Sequence, residues 1–141
     1  MSADMAANFE RTAVEVADLA APAGHYSHGI IASGRMLFVA GQVALDEDGR
    51  IVGRGDAAAQ TRQVLTNLKR VIEGAGASMA DVARTTVYLT RLDDRGPVGN
   101  VRAEFFPAPP PANTLLVVAS LAQPEFLVEI DAIVPVPPLE G

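Results

Sequence analysis

The clearest pattern of hydrophobic and polar positions is an apolar stripe at helical spacing over residues 57–75. Polar side chains, Gln60 among them, take the other side of this segment. The carboxylate of Asp56 can cap its first turn, and Gly74 and Gly76 suit its end. The pattern therefore predicts one long amphipathic helix. The members of the stripe are Val64, Leu65, Leu68, Val71, Ile72 and Ala75.

Runs rich in β-branched and apolar residues predict the strands of a sheet. These runs are residues 35–44, 82–92, 114–121 and 126–134. A turn at residues 46–49 ends in Asp-Gly and predicts a hairpin that returns through residues 50–52. The proline-rich end from Pro135 onward is not expected to continue a central strand, because proline lacks the backbone donor of the ladder.

A second, shorter helix is predicted for residues 97–106, where Val98, Val101 and Phe105 share a face. Pro97 suits the first turn of a helix. Gly99 inside the segment costs about 1 kcal/mol relative to alanine. The stretch that follows, residues 107–111, contains four prolines and is expected to be a stiff connector.

The order of these elements indicates an α+β fold in one domain. A chain of 141 residues is long enough for one core, expected at about residues 12–135, with a loose tail before it and a proline-rich end after it. Two helices that interrupt a mixed sheet favour packing of both on one sheet face. In the last strand the apolar set from Val128 to Val134 alternates with Glu129 and Asp131. That second face is mixed, as contact between subunits would produce.

Composition and charge exclude several classes of function. The chain has no cysteine, which excludes disulfides, a thiolate nucleophile and a zinc site with cysteine ligands, and fits a cytoplasmic protein. Its formal charge is -6, which opposes binding of nucleic acid. No apolar run reaches the roughly 18 residues of a membrane span, and residues 1–9 do not resemble a signal peptide. His25 and His28 have no evident third ligand for a metal.

Five separate segments carry a distinctive combination of residues. They are PAGHYS at 22–27, LFVAGQ at 37–42, DVARTTVYL at 81–89, PANT at 111–114 and LVEIDAI at 127–133. With them the chain resembles the RidA/YjgF family of small imine and enamine deaminases, over about residues 20–135. The resemblance implies a chorismate-mutase-like fold and a homotrimer with its sites between neighbouring subunits. It also implies a small-molecule metabolite as substrate and no cofactor.

Two residues are candidates for catalysis. The carboxylate of Glu129 lies in an otherwise buried strand pattern, and partial desolvation would raise its pKa and let it act as a base toward water. The resemblance implies the same role, because the family's glutamate orients the attacking water. An interface glutamate paired with an arginine is the alternative. Tyr26 could donate its hydroxyl to substrate or water, and its alternative is an amphipathic interface tyrosine.

Three further positions are candidates for substrate binding. Gly41 at a strand end would let a ligand approach the backbone or would form a bulge, and the two interpretations are compatible. Asn100 matches an asparagine of the family's second helix, although a helical asparagine is also often merely exposed. His25 and His28 bracket Tyr26 in the sequence. The imidazole of His28, like that of His25, could shuttle a proton near neutral pH. A solvated loop histidine is the alternative at both positions.

Asn113 is where the chain departs from the family. The family has an arginine there, which pairs with the substrate carboxylate, and an amide lacks both its charge and its fork of donors. The resemblance therefore predicts weak activity on 2-imino acids. Arg84, Arg91 or Arg102 could replace the missing cation, but the sequence does not place any of them.

Three functions stay open on the sequence alone. The first is hydrolytic deamination of a reactive imine, an enamine or a related small carbonyl metabolite. The second is a trimer that binds a small metabolite without turnover. The third, an endoribonuclease or translation inhibitor, is disfavoured by the charge of -6 and by the absence of a basic stripe.

Overall fold

The computed structural model describes residues 8–139 and shows the predicted α+β architecture. The predicted tail at residues 1–9 therefore lies mostly outside the described residues. Helix α1 is Ala57–Gly74 and helix α2 is Arg95–Phe105. The strands are β1 (Glu10–Ala13), β2 (Ile30–Ser33), β3 (Arg35–Gln42), β4 (Arg84–Leu89), β5 (Ala112–Val117) and β6 (Val128–Val136).

The main sheet has four strands in the order β3-β6-β4-β5. Strand β6 is antiparallel to both of its neighbours, whereas β4 and β5 run parallel. Helix α2 lies in the connection between that parallel pair. Strands β1 and β2 form a separate antiparallel ribbon. The sheet is thus mixed, as predicted.

Both helices cover the same face of this sheet, and the core lies between them and the strands. On α1 the side chains of Val64, Leu65, Leu68 and Ile72 are fully buried. On β6 every second residue is buried against them, and these residues are Val128, Ile130, Ala132 and Val134. Apolar residues repeat about every 3.6 positions on the helix and every 2 positions on the strand, so the apolar sides of both elements meet in one layer.

The ends of α1 follow the predicted signals. The Asp56 carboxylate accepts a hydrogen bond from the Ala59 N–H at 3.0 Å. Gly76 follows the helix with a φ of 85°, a left-handed conformation that glycine adopts without strain. The predicted hairpin is present as a single bridge between Leu45 and Ile51.

Two side chains of α1 lie opposite to their predicted environment. Val71 is 39% exposed and does not belong to the core. Gln60 is fully buried, although the pattern places it on the polar side. Its amide nitrogen donates to the backbone oxygens of Gly53 and Glu125, and its amide oxygen accepts from the Leu127 N–H. These bonds satisfy the buried amide and attach the loop before β6 to the helix.

Strand β6 continues through Pro135, which contradicts the expectation that the proline-rich end leaves the sheet. Ile133 accepts a hydrogen bond from Ala83 through its backbone oxygen, so that oxygen faces the β4 side. Pro135, two residues later, turns its nitrogen to the same side. Strand β4 begins only at Arg84, paired with Ile133. The donor that proline lacks would therefore have had no partner there.

Several boundaries also differ from their predictions. The run at residues 82–92 contains the six-residue strand β4, and single 3-10 turns at Met79–Asp81 and Leu92–Asp94 flank it. Strand β5 begins two residues earlier than expected, and α2 begins at Arg95. Peptide Ala108-Pro109 within the proline connector is cis. No helix within residues 8–139 is long and apolar enough to cross a lipid bilayer.

The second face of the sheet is left open by this chain. Phe38 on β3 is 72% exposed and lies opposite Ile133 of β6. Leu116 on β5 is 45% exposed and lies beside Tyr88 of β4. Glu129 lies opposite Tyr88 on the same face. The open face is therefore apolar at its margins and acidic along β6, as the alternation in the last strand indicated.

Candidate functional site

A cavity of about 500 Å³ lies between helix α2, strand β5 and the loop that carries Tyr26. Its polar lining combines a phenol, two side-chain amides, an imidazole and two guanidinium groups, whereas its apolar lining comes from the strands and the helix. The lining residues are Ala23, Gly24, His25, Tyr26, Val87, Arg95, Gly96, Val98, Gly99, Asn100, Arg102, Ala103, Asn113 and Leu115.

The loop at residues 24–27 is held in place by the start of β5. Ser27 donates its backbone N–H to the Pro111 oxygen at 3.0 Å and its hydroxyl to the Pro110 oxygen at 2.5 Å. The Tyr26 hydroxyl accepts from the Ala23 N–H at 3.4 Å. Because that bond uses only an acceptor site, the phenolic proton stays available to a ligand.

Arg102 is the most buried charged group of the cavity, with 4% of its surface exposed. One terminal nitrogen, Nη2, donates to the Thr85 hydroxyl at 2.9 Å, and the other, Nη1, donates to the backbone oxygen of His25. The guanidinium carbon lies 4.9 Å from the centre of the Phe106 ring, in the range of a cation–π contact. Burial lowers the pKa of Arg102 to about 10, which leaves it charged at neutral pH.

A short chain of hydrogen bonds joins Arg102 to Asn113 through Thr85. The Thr85 hydroxyl donates to the Asn113 amide oxygen at 2.6 Å. The direction of this bond follows from chemistry, since arginine has no acceptor and the hydroxyl must give its own proton elsewhere. Asn113 therefore uses its amide oxygen toward Thr85, and its NH₂ group has no hydrogen-bond partner within residues 8–139.

The other two arginines proposed as substitutes lie elsewhere. Arg91 forms two hydrogen bonds with the carboxylate of Asp94, at 2.9 and 3.1 Å. Arg84 lies on the open sheet face, where its guanidinium is 3.4 Å from the Thr114 hydroxyl. Of the three candidates, only Arg102 lines the cavity.

His25 also lines the cavity, and its Nε2 is 2.7 Å from the Phe106 oxygen. His28 does not line it. The Nε2 of His28 lies 2.7 Å from the Ala20 oxygen, and its ring packs edge-on against Tyr26 with 6.0 Å between the ring centres. His28 thus lies beside Tyr26 and is not among the residues that line the cavity.

Glu129 and Gly41 lie together, but not in this cavity. A Cβ atom added to Gly41 would lie 2.0 Å from the Glu129 Oε2 atom, so the carboxylate rests directly against the glycine. The pairing of β3 with β6 shifts register between Val39 and Gln42, which places a bulge at this point. A side chain at position 41 would displace the carboxylate, and that constraint explains why a glycine stands there.

Burial raises the pKa of Glu129, and the nearby negative charge of Asp131 raises it further. No hydrogen bond or ion pair to the Glu129 carboxylate comes from residues 8–139. Asp131 differs, because one of its oxygens accepts from the Thr86 N–H and the other from the Tyr88 hydroxyl. Of these two carboxylates, Glu129 is therefore the one whose oxygens receive no hydrogen bond from residues 8–139, so both can accept from water.

The predicted site residues consequently form two groups within one chain. Tyr26, Asn100 and Asn113 line the cavity on the helix side of the sheet. Glu129 and Gly41 lie on the open side. Thr85 and Arg95 were not singled out by sequence reasoning, because a threonine in a strand and an arginine just before the predicted helix carry no local signal. Within the described residues, no cluster of three His, Asp or Glu side chains could hold a metal ion.

The chain is similar to known sequences over most of its length. The sequence profile of a family described as endoribonuclease L-PSP matches residues 16–136. A RutC family protein of Pyrococcus horikoshii is 42% identical over 112 residues, which cover 79% of this chain and 87% of that protein. A RutC family protein of Synechocystis is 39% identical over 126 residues, which cover 88% and 95% of the two chains.

Solved structures agree with the same grouping. A protein of unknown function of the conserved Rid family from Yersinia pestis superposes with a TM-score of 0.83 at 37% identity, covering 89% of this chain and 98% of that one. RidA from an Antarctic Psychrobacter gives a TM-score of 0.68 at 31% identity, covering 89% and 100%. In sequence and in fold, the chain belongs to the RidA/YjgF family.

Proposed function

We propose that this protein hydrolyses reactive imines, or enamines after their tautomerisation, to carbonyl compounds and ammonia. The observation that carries the proposal is Glu129, a partly buried carboxylate with a raised pKa and no protein partner within residues 8–139. Family membership supports the same chemistry. The alternative substrates are related small carbonyl metabolites whose hydrolysis also needs an activated water.

In this reaction the glutamate acts as a general base. Water adds to the imine carbon while Glu129 takes one of its protons and passes it to the imine nitrogen, which becomes the amine of a carbinolamine. Glu129 then transfers the proton of the carbinolamine hydroxyl to this amine. The carbon–nitrogen bond breaks, the carbonyl forms and neutral ammonia leaves. Tyr26 and the amide of Asn113 hold the substrate by hydrogen bonds. The substrate is already activated, so the proposal requires no cofactor.

The two groups of site residues require a second copy of the chain to meet. Within one chain Glu129 and the cavity lie on opposite faces of the sheet. The open face exposes Phe38 and Leu116, which favours burial against a neighbouring subunit. We therefore infer a homotrimer in which Glu129 of one copy faces the cavity of the next. A cytoplasmic location fits the absence of cysteine.

Two other functions remain as alternatives. The first is a trimer that binds a metabolite without turnover. It is favoured by the separation of Glu129 from the cavity within one chain, because catalysis would require a neighbouring copy to bring Glu129 to the bound metabolite. An endoribonuclease is suggested by the family description. The charge of -6 disfavours it, because a phosphate backbone is bound by displacing counterions with basic side chains.

The proposed role of Glu129 predicts that Glu129→Gln lowers the rate of ammonia release by about 10²–10⁴-fold, the usual loss of a general base. The substrate is 2-iminopropionate, generated in place by a serine dehydratase. Glu47→Gln in the exposed turn is the matched control and should keep the wild-type rate. Unchanged release in Glu129→Gln would contradict catalysis by this residue, and ligand binding without release would support the metabolite-binding alternative.

The raised pKa of Glu129 predicts the pH dependence. The base must be ionised, so activity should fall as pH drops through a pKa that lies above the ordinary 4.5. Asp131→Asn removes the neighbouring negative charge and should move this limb to lower pH. A ¹³C NMR titration of the Glu129 carboxyl group checks both values. A midpoint at or below 4.5 in the wild type would disprove the assignment.

Asn113 predicts that this protein turns over 2-iminopropionate more slowly than a relative with arginine at the same position. The asparagine amide has no positive charge and lacks the paired N–H donors with which a guanidinium binds a carboxylate. Asn113→Arg alone would place a second guanidinium one hydroxyl away from Arg102. We therefore expect kcat/KM to rise more in the double variant Arg102→Met/Asn113→Arg than in the single variant. The test is to measure kcat/KM for 2-iminopropionate in the wild type, both variants and the arginine-bearing relative under the same conditions. A wild-type value equal to that of the relative would refute the prediction.

The open sheet face predicts the oligomeric state. Phe38→Asp should convert the trimer to a monomer, since burying a charge in an apolar interface is costly. Deamination should be lost with it, while circular dichroism stays native. Val71→Asp, on an exposed position of α1, is the control and should remain trimeric. Light scattering on size exclusion measures both, and a monomeric wild-type protein with full activity would overturn the trimer.

A further inference from the structure

The imidazole of His25 is bonded at one ring nitrogen and free at the other. Its Nε2 lies 2.7 Å from the backbone oxygen of Phe106. Because a carbonyl oxygen only accepts, this bond places the ring proton on Nε2. In the neutral ring the lone pair is then on Nδ1, which has no hydrogen-bond partner within residues 8–139. His25 therefore carries one unused acceptor.

The fold holds this ring in a defined position. The backbone oxygen of His25 accepts from Nη1 of Arg102. The loop beyond it is also attached, because Ser27 donates its N–H and its hydroxyl to the proline connector. His25 itself is half-buried, unlike the solvated loop histidine that the sequence left open. A side chain held at its backbone and at its ring loses little conformational freedom when a ligand binds.

The cavity that His25 lines is rich in donors and poor in acceptors. Its lining contains no aspartate or glutamate, and its arginines can only donate. The amide oxygen of Asn113 already accepts from the Thr85 hydroxyl, and the Tyr26 hydroxyl already accepts a backbone N–H. Asn100 has an amide oxygen but lies exposed on α2. A ligand N–H that enters the cavity thus meets one acceptor that is both fixed and unoccupied, Nδ1 of His25.

We propose that His25 is a specificity-determining residue of this cavity and that its Nδ1 accepts a hydrogen bond from the N–H of the substrate's imine nitrogen. An N-alkylated imine would place carbon against Nδ1 and leave that acceptor unpaired, so the contact selects imines whose nitrogen carries hydrogen. The inference rests on the proposed function for its link to turnover. Any small ligand with an N–H can make the same contact, so binding can be tested without turnover.

The binding test compares propionamide with butanone, which are uncharged, similar in shape and alike in carrying a carbonyl. Only propionamide has N–H groups. In the wild-type protein with ¹⁵N-labelled histidine, propionamide should move the Nδ1 resonance of His25 upfield, because a ring nitrogen that gains a donor shifts in that direction. Butanone should leave the resonance in place. The chain has two histidines, so the spectrum of His25→Gln assigns the signal.

Two variants separate the roles of the two ring nitrogens. The amide of His25→Gln matches Nε2 and can still donate to Phe106, but it removes the acceptor at Nδ1. The amide of His25→Asn matches Nδ1 and loses the bond to Phe106. We expect His25→Gln to weaken propionamide binding about 3–10-fold, the factor for one neutral hydrogen bond, and to lower kcat/KM for 2-iminopropionate similarly. His25→Asn should keep both values close to the wild type, and butanone should bind equally to all three proteins.

A purely structural role of His25 predicts the opposite order, with a larger loss in His25→Asn than in His25→Gln, and that order would overturn the inference. An Nδ1 resonance that propionamide leaves in place would overturn it too. The resonance is measured on the wild type, so this test does not depend on whether the variants fold. Ammonia release at equal rates in the wild type and His25→Gln would refute this inference alone. A shifted Nδ1 resonance without deamination of any imine would refute only the proposed function.

Discussion

The site depends above all on one buried guanidinium placed where a helix, a strand and a loop meet. Arg102 extends from α2, binds Thr85 on β4 and holds the loop carrying Tyr26 through the His25 oxygen. Through Thr85 it also orients Asn113 on β5. Four separate segments are thus fixed relative to each other by one side chain. Because arginine only donates, the direction of every bond in this chain is determined.

This arrangement has a consequence for stability. The core packs well without Arg102, since the apolar layer between α1 and β6 is complete. A buried and unbalanced charge adds nothing to that layer and opposes folding. Arg102 is thus a group that this fold keeps at a cost to stability. The same argument applies to Glu129, whose raised pKa shows that its ionised form is disfavoured where it lies.

The period of the β-strand separates the two halves of the site. Neighbouring residues of a strand point to opposite faces, so Glu129 lies open while Val128 and Ile130 are buried. Asn113 on β5 lies on the helix side, where it accepts a hydrogen bond from Thr85, which in turn accepts one from Arg102. One face of the sheet in a single chain therefore carries either Glu129 or the cavity, but not both. Because Phe38 and Leu116 are exposed on the open face, covering that face would bury apolar surface.

Local spacing along the chain was sufficient to predict the fold class and the long helix, and the motifs named Tyr26, Asn113 and Glu129 as candidates. Helical and strand periods place Val64, Leu68, Val128 and Ile130 in one core because burial of apolar surface is the dominant force and depends on local spacing. The five segments that carry the family resemblance could also be located along the chain. Predictions from the spacing were wrong where contacts between residues distant in sequence set the environment of a side chain. Examples are Gln60, which is buried, and Pro135, which lies in β6.

Which side chains meet follows from the packing of the folded chain. It placed Arg102, and neither Arg84 nor Arg91, beside Asn113, and it set Glu129 apart from Tyr26. Residues 85, 102 and 113 are distant along the chain, and their contact depends on how α2 crosses the sheet. Electrostatic partners act through space, so no local pattern along the chain could show that Arg102 is buried without an acidic partner among residues 8–139.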